Sequence, residues 1–255
     1  MIAFMSASLL LSLTALVALV PVALVAGPST PAAPADWRYW AMLGVAVAGP
    51  ALWVTVEVTP QWRTGIAAAL WLIVATTMAL FALLAIASPA VRRLTTLLVA
   101  YLLVLGVVAT VWQHAPERPL PAGSPAAWLQ AHIFLSLAAF GLLTLAAVAG
   151  AGVFIKERAI RAKRLGTLAQ RLPAVADGEV LQVRLLIASE GALALALATG
   201  ASMEWLERRA LLRLDHKTVL SLAAFALIAA LLLLHRGAGI SGRRAARFVL
   251  VAYLL

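Results

Sequence analysis

The side chains of this sequence that are suited to chemistry are four histidines and one carboxylate, all inside or beside long apolar stretches. The histidines are His114, His132, His216 and His235. Imidazole is the usual axial ligand of heme iron, and two histidines on different helices at one depth would clamp a heme between them. The chain has no cysteine, which excludes disulfides, thiolate-bound zinc and iron–sulfur clusters.

The surroundings of the histidines differ. His132 lies among apolar residues of a predicted helix, where a polar ring needs a partner. His216 opens a later helix and His235 ends it, so a polar tether at a helix end is the alternative for both. His114 lies in a proline-rich loop, where such a tether is the simpler interpretation. We therefore take His132, His216 and His235 as candidate heme ligands, and we expect no metal other than heme iron.

The carboxylate of interest is Glu190, inside the sixth predicted helix. A carboxylate in hydrocarbon costs several kcal/mol unless it is paired or protonated. Arg184 lies six residues earlier, on a different helix face, and is therefore a poor partner. Glu190 is either a proton or cation site or a hydrogen-bonding group that joins two helices.

Composition places these residues in a membrane. The chain is 64% hydrophobic and 12% charged, with a mean hydropathy of +1.01, whereas soluble domains are roughly 45–50% apolar and about 25% charged. We predict an all-α, polytopic transmembrane helix bundle that forms a single membrane domain over residues 1–255. Its N-terminal four-helix half covers 1–125 and its second half covers 126–255.

Apolar stretches of about 20 residues, enough to cross a bilayer, predict seven to eight spans. The eighth begins about ten residues before Leu255, so the last helix is either a half-span or, as we expect, truncated in a natural chain that continues. The predicted spans are Ile2–Ala26, Trp37–Val58, Gly65–Ala87, Leu94–Trp112, Pro125–Lys156, Val180–Met203, His216–Leu234 and a helix starting near Ala245.

The basic residues predict the orientation, because loops rich in lysine and arginine stay in the cytoplasm. Loops 156–180 and 236–247 are therefore predicted to be cytoplasmic, with the N-terminus outside a bacterial inner membrane. Met203–Leu214, on the outer side, is predicted as a short interfacial helix. The basic residues that give the net charge of +10 are then expected to contact lipid headgroups, and no nucleic-acid partner is expected.

The eight tryptophans divide by depth. Trp53 and Trp71 lie deep in predicted helices, where packing in the core or against lipid is expected. The others lie near predicted boundaries, where aromatic residues anchor helices. These six are Trp37, Trp40, Trp62, Trp112, Trp128 and Trp205.

Four stretches in the second half carry a family resemblance. They are Ala131–Leu137, Lys156–Arg158 with Leu172-Pro173, His216–Leu222, and Gly239–Ala246. In order and spacing they resemble the cytochrome c assembly family of membrane proteins, and within it the YpjD-like branch of inner-membrane proteins.

That resemblance implies a role in heme handling at the outer membrane face. His132 matches the family's first external heme ligand, and His235 matches an intramembrane histidine of its heme-transporting members. No histidine precedes His114, so the family's histidine in the second helix has no counterpart.

Three functions follow as hypotheses. The first is a non-catalytic factor related to cytochrome c biogenesis, which binds heme through His132 and His216 and works with other maturation proteins. The second is a small ion-coupled transporter that uses Glu190. The third is a structural subunit of a larger membrane complex. An enzyme is not expected, because no nucleophile, base and orienting group occur together.

Overall fold

A computed structural model describes residues 2–26, 36–58, 63–115, 118–119, 126–164, 166–208 and 216–238. Over these residues the chain is almost entirely helical, as predicted. It divides into two compact units, Met1–Pro121 and Ala122–Leu255. Each unit is described by itself.

The first unit is a four-helix bundle with short additional elements. Helices α1 and α3 each pack against both α2 and α5, which closes the four helices around a core of Leu19, Trp71, Met78, Phe81 and Leu98. The elements are α1 (Ile2–Val25), α2 (Trp37–Glu57), β1 (Arg63–Thr64), α3 (Ile66–Ala87), α4 (Pro89–Arg92), α5 (Thr95–Val111), a 3₁₀ turn (Trp112–His114) and β2 (Arg118–Pro119), which pairs antiparallel with β1.

A proline-arginine segment breaks the apolar run between α3 and α5. Pro89 begins the single turn α4, since proline suits the first turn of a helix. Arg92 donates from Nη1 to the carbonyl of Ala85 at 3.0 Å, and its guanidinium lies 5.9 Å from the ring of Trp40. Pro89 and Arg92 therefore determine where α3 ends and where α5 begins.

Gly49 sets the close approach of α1 and α2. A Cβ at position 49 would lie 2.5 Å from the Cβ of Ala18, closer than two carbon atoms can pack. Gly49→Ala is therefore expected to push the helices apart and to destabilise the bundle by about 1–3 kcal/mol. The measurement is the thermal unfolding midpoint of the detergent-purified protein.

Gly44 provides the control for that substitution. It lies on the same helix with no atom within 4 Å of the position of its Cβ, so Gly44→Ala is expected to leave the midpoint unchanged or to raise it slightly. Equal midpoints for the two variants would contradict the packing of α1 on α2.

The second unit is built on two long antiparallel helices. Its elements are α6 (Ala126–Arg161), α7 (Thr167–Arg171), α8 (Val175–Arg208) and α9 (His216–Ala238). Helix α6 packs along α8, and α9 packs on α8. Contacts of His132 with Ala196, of Ala139 with Ser189 and of Gly150 with Gln182 set the register of α6 against α8.

Two markers indicate which part of this pair is suited to cross a bilayer. Trp128 and Trp205 are exposed and lie at one level, as expected of an aromatic belt. At the other end, α8 carries Asp177, Glu179 and Arg184 within eight residues, too many charges for hydrocarbon. From Trp205 to Arg184 the helix rises about 32 Å, close to the thickness of the hydrocarbon core.

Six of the described helices are long and apolar enough to cross a membrane, and the shorter apolar helix Thr95–Val111 adds a seventh candidate. This agrees with the predicted polytopic bundle. The predicted separate helix Met203–Leu214 is wrong in its first part, because α8 continues without a break to Arg208. The rest of that segment and the predicted helix near Ala245 lie outside the described residues.

Candidate functional site

The most informative of the predicted site residues is His132, on α6. Its Nδ1 lies 2.9 Å from the carbonyl oxygen of Ala196 and 3.3 Å from Oγ1 of Thr199, both on α8. A carbonyl only accepts, so Nδ1 carries the proton and donates it. The described residues offer no hydrogen bond to Nε2, which is then the basic nitrogen of the ring.

A small residue on α8 leaves room for this ring. A Cβ at Gly200 would lie 3.1 Å from Cε1 of His132 and 3.4 Å from Nδ1, which is tight contact. His132 is half-buried and lies four residues, about 6 Å, inside the level of Trp128. The ring is thus held in one orientation, close to the level of Trp128.

The other two candidate histidines lie at opposite ends of α9. His216 is the first residue of that helix and is exposed, whereas His235 is half-buried near its end. The nineteen-residue separation is about 28 Å along the helix. His216 begins α9 at the end of the unit where α8 ends. His132 lies at this same end of the unit. His235 is too far away to share a site with His216.

Among the described residues, no group of three or more histidine, aspartate or glutamate side chains is arranged to hold a metal ion. The side chain of His114, the fourth histidine, lies outside the described set. Any iron held by the histidines of the second unit would therefore rely on one or two imidazoles.

Glu190 lies deeper than the histidine. It is the sixteenth of the 34 residues of α8, and six residues, about 9 Å, separate it from the level of Arg184. Both carboxyl oxygens are buried, and neither has a hydrogen-bond partner among the described residues. The hydrogen bond between the helices at this depth is made by the neighbouring Ser189, whose Oγ donates to the carbonyl of Ala139 at 3.0 Å.

A second buried polar side chain, Gln182, lies two turns from Glu190 on α8. Its Nε2 has no partner in the described part of the chain, and it lies 2.9 Å from where a Cβ of Gly150 would be. Gly150 on α6 therefore makes space for the amide. The seam between α6 and α8 thus contains the polar side chains of His132, Ser189 and Gln182, at three depths.

The first unit contains a polar cluster that sequence reasoning missed. Trp53 donates from Nε1 to Oγ of Ser12 at 2.9 Å, and Ser12 donates to Oε1 of Gln113 at 3.1 Å. Trp53 stacks on Trp71 with ring centroids 5.3 Å apart. Of the two predicted alternatives, packing in the core or against lipid, both indoles take the first. The sequence feature that could have indicated this cluster was the presence of two polar residues, Ser12 and Gln113, near apolar stretches.

The fold defines the class of the protein: a multi-pass, α-helical membrane protein. The chain is 43% identical over 254 residues, covering 98% of this chain and 94% of the relative, to an "Uncharacterized 28.8 kDa protein in nifR3-like 5'region" of Azospirillum brasilense. It belongs to the same family as that protein. No family model and no solved structure matches the chain.

Proposed function

We propose that this protein is a non-catalytic factor related to cytochrome c biogenesis that binds heme at the outer face of a bacterial inner membrane, with the N-terminus outside. The observation that carries this proposal is the tether of His132. A histidine that ligates iron commonly donates its other ring nitrogen to a carbonyl, which fixes the tautomer and the ring plane. His132 has this arrangement, with Nδ1 on Ala196 and Nε2 left for a ligand.

The residues around His132 fit one axial ligand of a flat macrocycle. Ala196 and Gly200 are small, so the imidazole packs close to the backbone of α8. The hydroxyl of Thr199 contacts Nδ1 of the ring. His216, exposed at the same end of the unit, is the proposed second ligand. Bound heme would supply an iron centre whose properties depend on the axial ligands, while the protein's own task is to hold and present it.

The test is a hemin titration of the detergent-purified protein, followed by absorbance. We expect a Soret band that saturates at one heme per chain. His216→Ala is expected to change the spectrum from that of heme iron with two histidine ligands to that of heme iron with one. His235→Ala is expected to leave the spectrum unchanged, because His235 lies far from His216 along α9. A protein that stays colourless after titration would refute the proposal.

A second function, an ion-coupled carrier, is favoured by a separate observation. Glu190 has both carboxyl oxygens buried, with no hydrogen-bond partner in the described part of the chain, and an ionisable residue inside a membrane span is by default a candidate for an ion or proton path. The charged end of α8, where an ion would enter, begins at Arg184, about 9 Å from Glu190 along the helix. Uptake or efflux measured in vesicles across a pH step tests this function, and its loss is expected in Glu190→Gln.

A further inference from the structure

The feature that neither proposed function uses is the part of the second unit that projects beyond the bilayer. In the register of α6 against α8, Arg184 lies opposite the region of Ala147. Helix α6 continues for another fourteen residues, to Arg161, which is a further rise of about 21 Å. The end of α6, helix α7 and the first turns of α8 together form what we term the extramembrane knob, whose described residues are 148–164 and 166–183.

The knob is a packed structure. Lys156 donates from Nζ to the carbonyls of Ala169 and Leu172, at 2.6 and 3.3 Å, which ties the end of α7 to α6. Leu172 is 1% exposed, and a Cβ at Gly178 would lie only 2.7 Å from Cγ2 of Val153. The apolar stretch of α6 in this region is therefore covered by α7 and α8 and does not need lipid.

Exposed cations cover the far end of the knob. We term this surface the basic tip; its members are Arg158, Arg161, Lys163 and Arg164, all exposed. The one ion pair found at the tip among the described residues joins Arg161 to Glu157 at 2.6 Å. Ile160 and Leu168, which are 52% and 37% exposed, add apolar surface beside the cations.

Lipid headgroups do not account for this surface. The headgroup layer is about 5–8 Å thick on each side, so Arg161 lies about 13 Å or more beyond it. That distance exceeds the Debye length of about 8 Å at physiological ionic strength. Charge at the tip is therefore screened from the membrane of its own chain and faces the aqueous phase.

We infer that the basic tip is a docking surface for an acidic soluble protein. The mixture of cations with exposed Ile160 and Leu168 suits a protein surface, where charges steer association and apolar contacts hold it. No tryptophan or tyrosine lies in residues 148–183 for stacking on nucleic-acid bases. The orientation in the proposed function places this partner in the cytoplasm, but the surface itself does not depend on heme or on Glu190.

The first test measures binding of fluorescent poly-L-glutamate to the full chain in nanodiscs of neutral phosphatidylcholine. The tip variant Arg158→Gln/Arg161→Gln/Arg164→Gln is expected to bind at least tenfold more weakly than the wild type. The charge-matched control is Arg208→Gln/Arg209→Gln/Arg213→Gln, from the other end of α8 and the segment after it, and it is expected to bind as the wild type does. Equal loss in both variants, or tighter binding of polyuridylate than of polyglutamate, would overturn the proposal.

The second test identifies the occupant in cells. A photocrosslinking amino acid at Leu168 is expected to give a protein adduct, reduced at least tenfold in the tip variant and unchanged in the control. The same probe at Val180, close to the headgroups, is expected to give lipid-sized adducts. Lipid-sized or ribonuclease-sensitive adducts at position 168, or no adduct at all, would overturn the proposal.

Discussion

His132→Ala is expected to weaken heme binding by more than about a hundredfold and to remove the Soret band at micromolar hemin. Loss of a group that only orients a metal-binding histidine costs about 10–100-fold, so loss of the ligand itself is expected to cost more. The measurement is a hemin titration of wild type and variant at equal concentration. Retention of the band in His132→Ala would exclude His132 as the ligand and direct attention to His216.

Gly200→Val tests whether the orientation of His132, as well as its presence, is needed. The added side chain would enter the space of Cε1 and Nδ1 of His132, turn the ring and break its hydrogen bond to Ala196. We expect heme affinity to fall about 10–100-fold, and Gly200→Ala to cause a smaller loss.

Gly191→Val is the matched control, because no atom lies within 4 Å of the position of a Cβ there. It lies on the same helix and carries the same propensity cost, so its heme affinity is expected to equal that of the wild type. Monodisperse elution in detergent establishes that each variant is folded. Equal affinities for Gly200→Val and Gly191→Val would show that the tether does not position the ligand.

The membrane spans were predictable because hydropathy alone determines them. A helix in lipid must bury an apolar stretch of fixed length, and such stretches are visible in the sequence. The ends of the helices were less predictable. Helix α8 runs through Glu204 and Arg208 because charged residues with good helix propensity extend a helix beyond the bilayer when neither proline nor glycine stops it.

The contacts between helices were not predictable from one sequence. The partner of His132, the carbonyl of Ala196, lies 64 residues away, and any backbone carbonyl looks alike in a sequence. The same holds for the hydrogen-bonded chain of Trp53, Ser12 and Gln113. The depth of a residue in the membrane was predictable from its distance along the chain to the nearest charged residues. The face of a helix that contacts a neighbouring helix was not, because it depends on tertiary packing.

Glu190→Gln is expected to separate stability from function. Both carboxyl oxygens are buried and have no partner among the residues that the structure describes, and an unsatisfied buried polar group costs about 1–3 kcal/mol, more when it is charged. Glu190→Gln keeps the shape and removes the ability to ionise, and Glu190→Leu removes the polar group. We expect both variants to unfold at a higher temperature than the wild type, with the larger increase for leucine.

The same substitutions are expected to abolish pH-dependent flux in vesicles if Glu190 is the coupling site, because a residue kept at a cost in stability is typical of functional positions. Carbodiimide, which modifies protonated carboxyl groups in apolar surroundings, is expected to label Glu190 and to spare Glu157, which pairs with Arg161 at the surface. A lower unfolding temperature in Glu190→Leu would mean that the carboxyl group has a stabilising partner. Unchanged flux with a raised unfolding temperature would leave Glu190 without a role in transport.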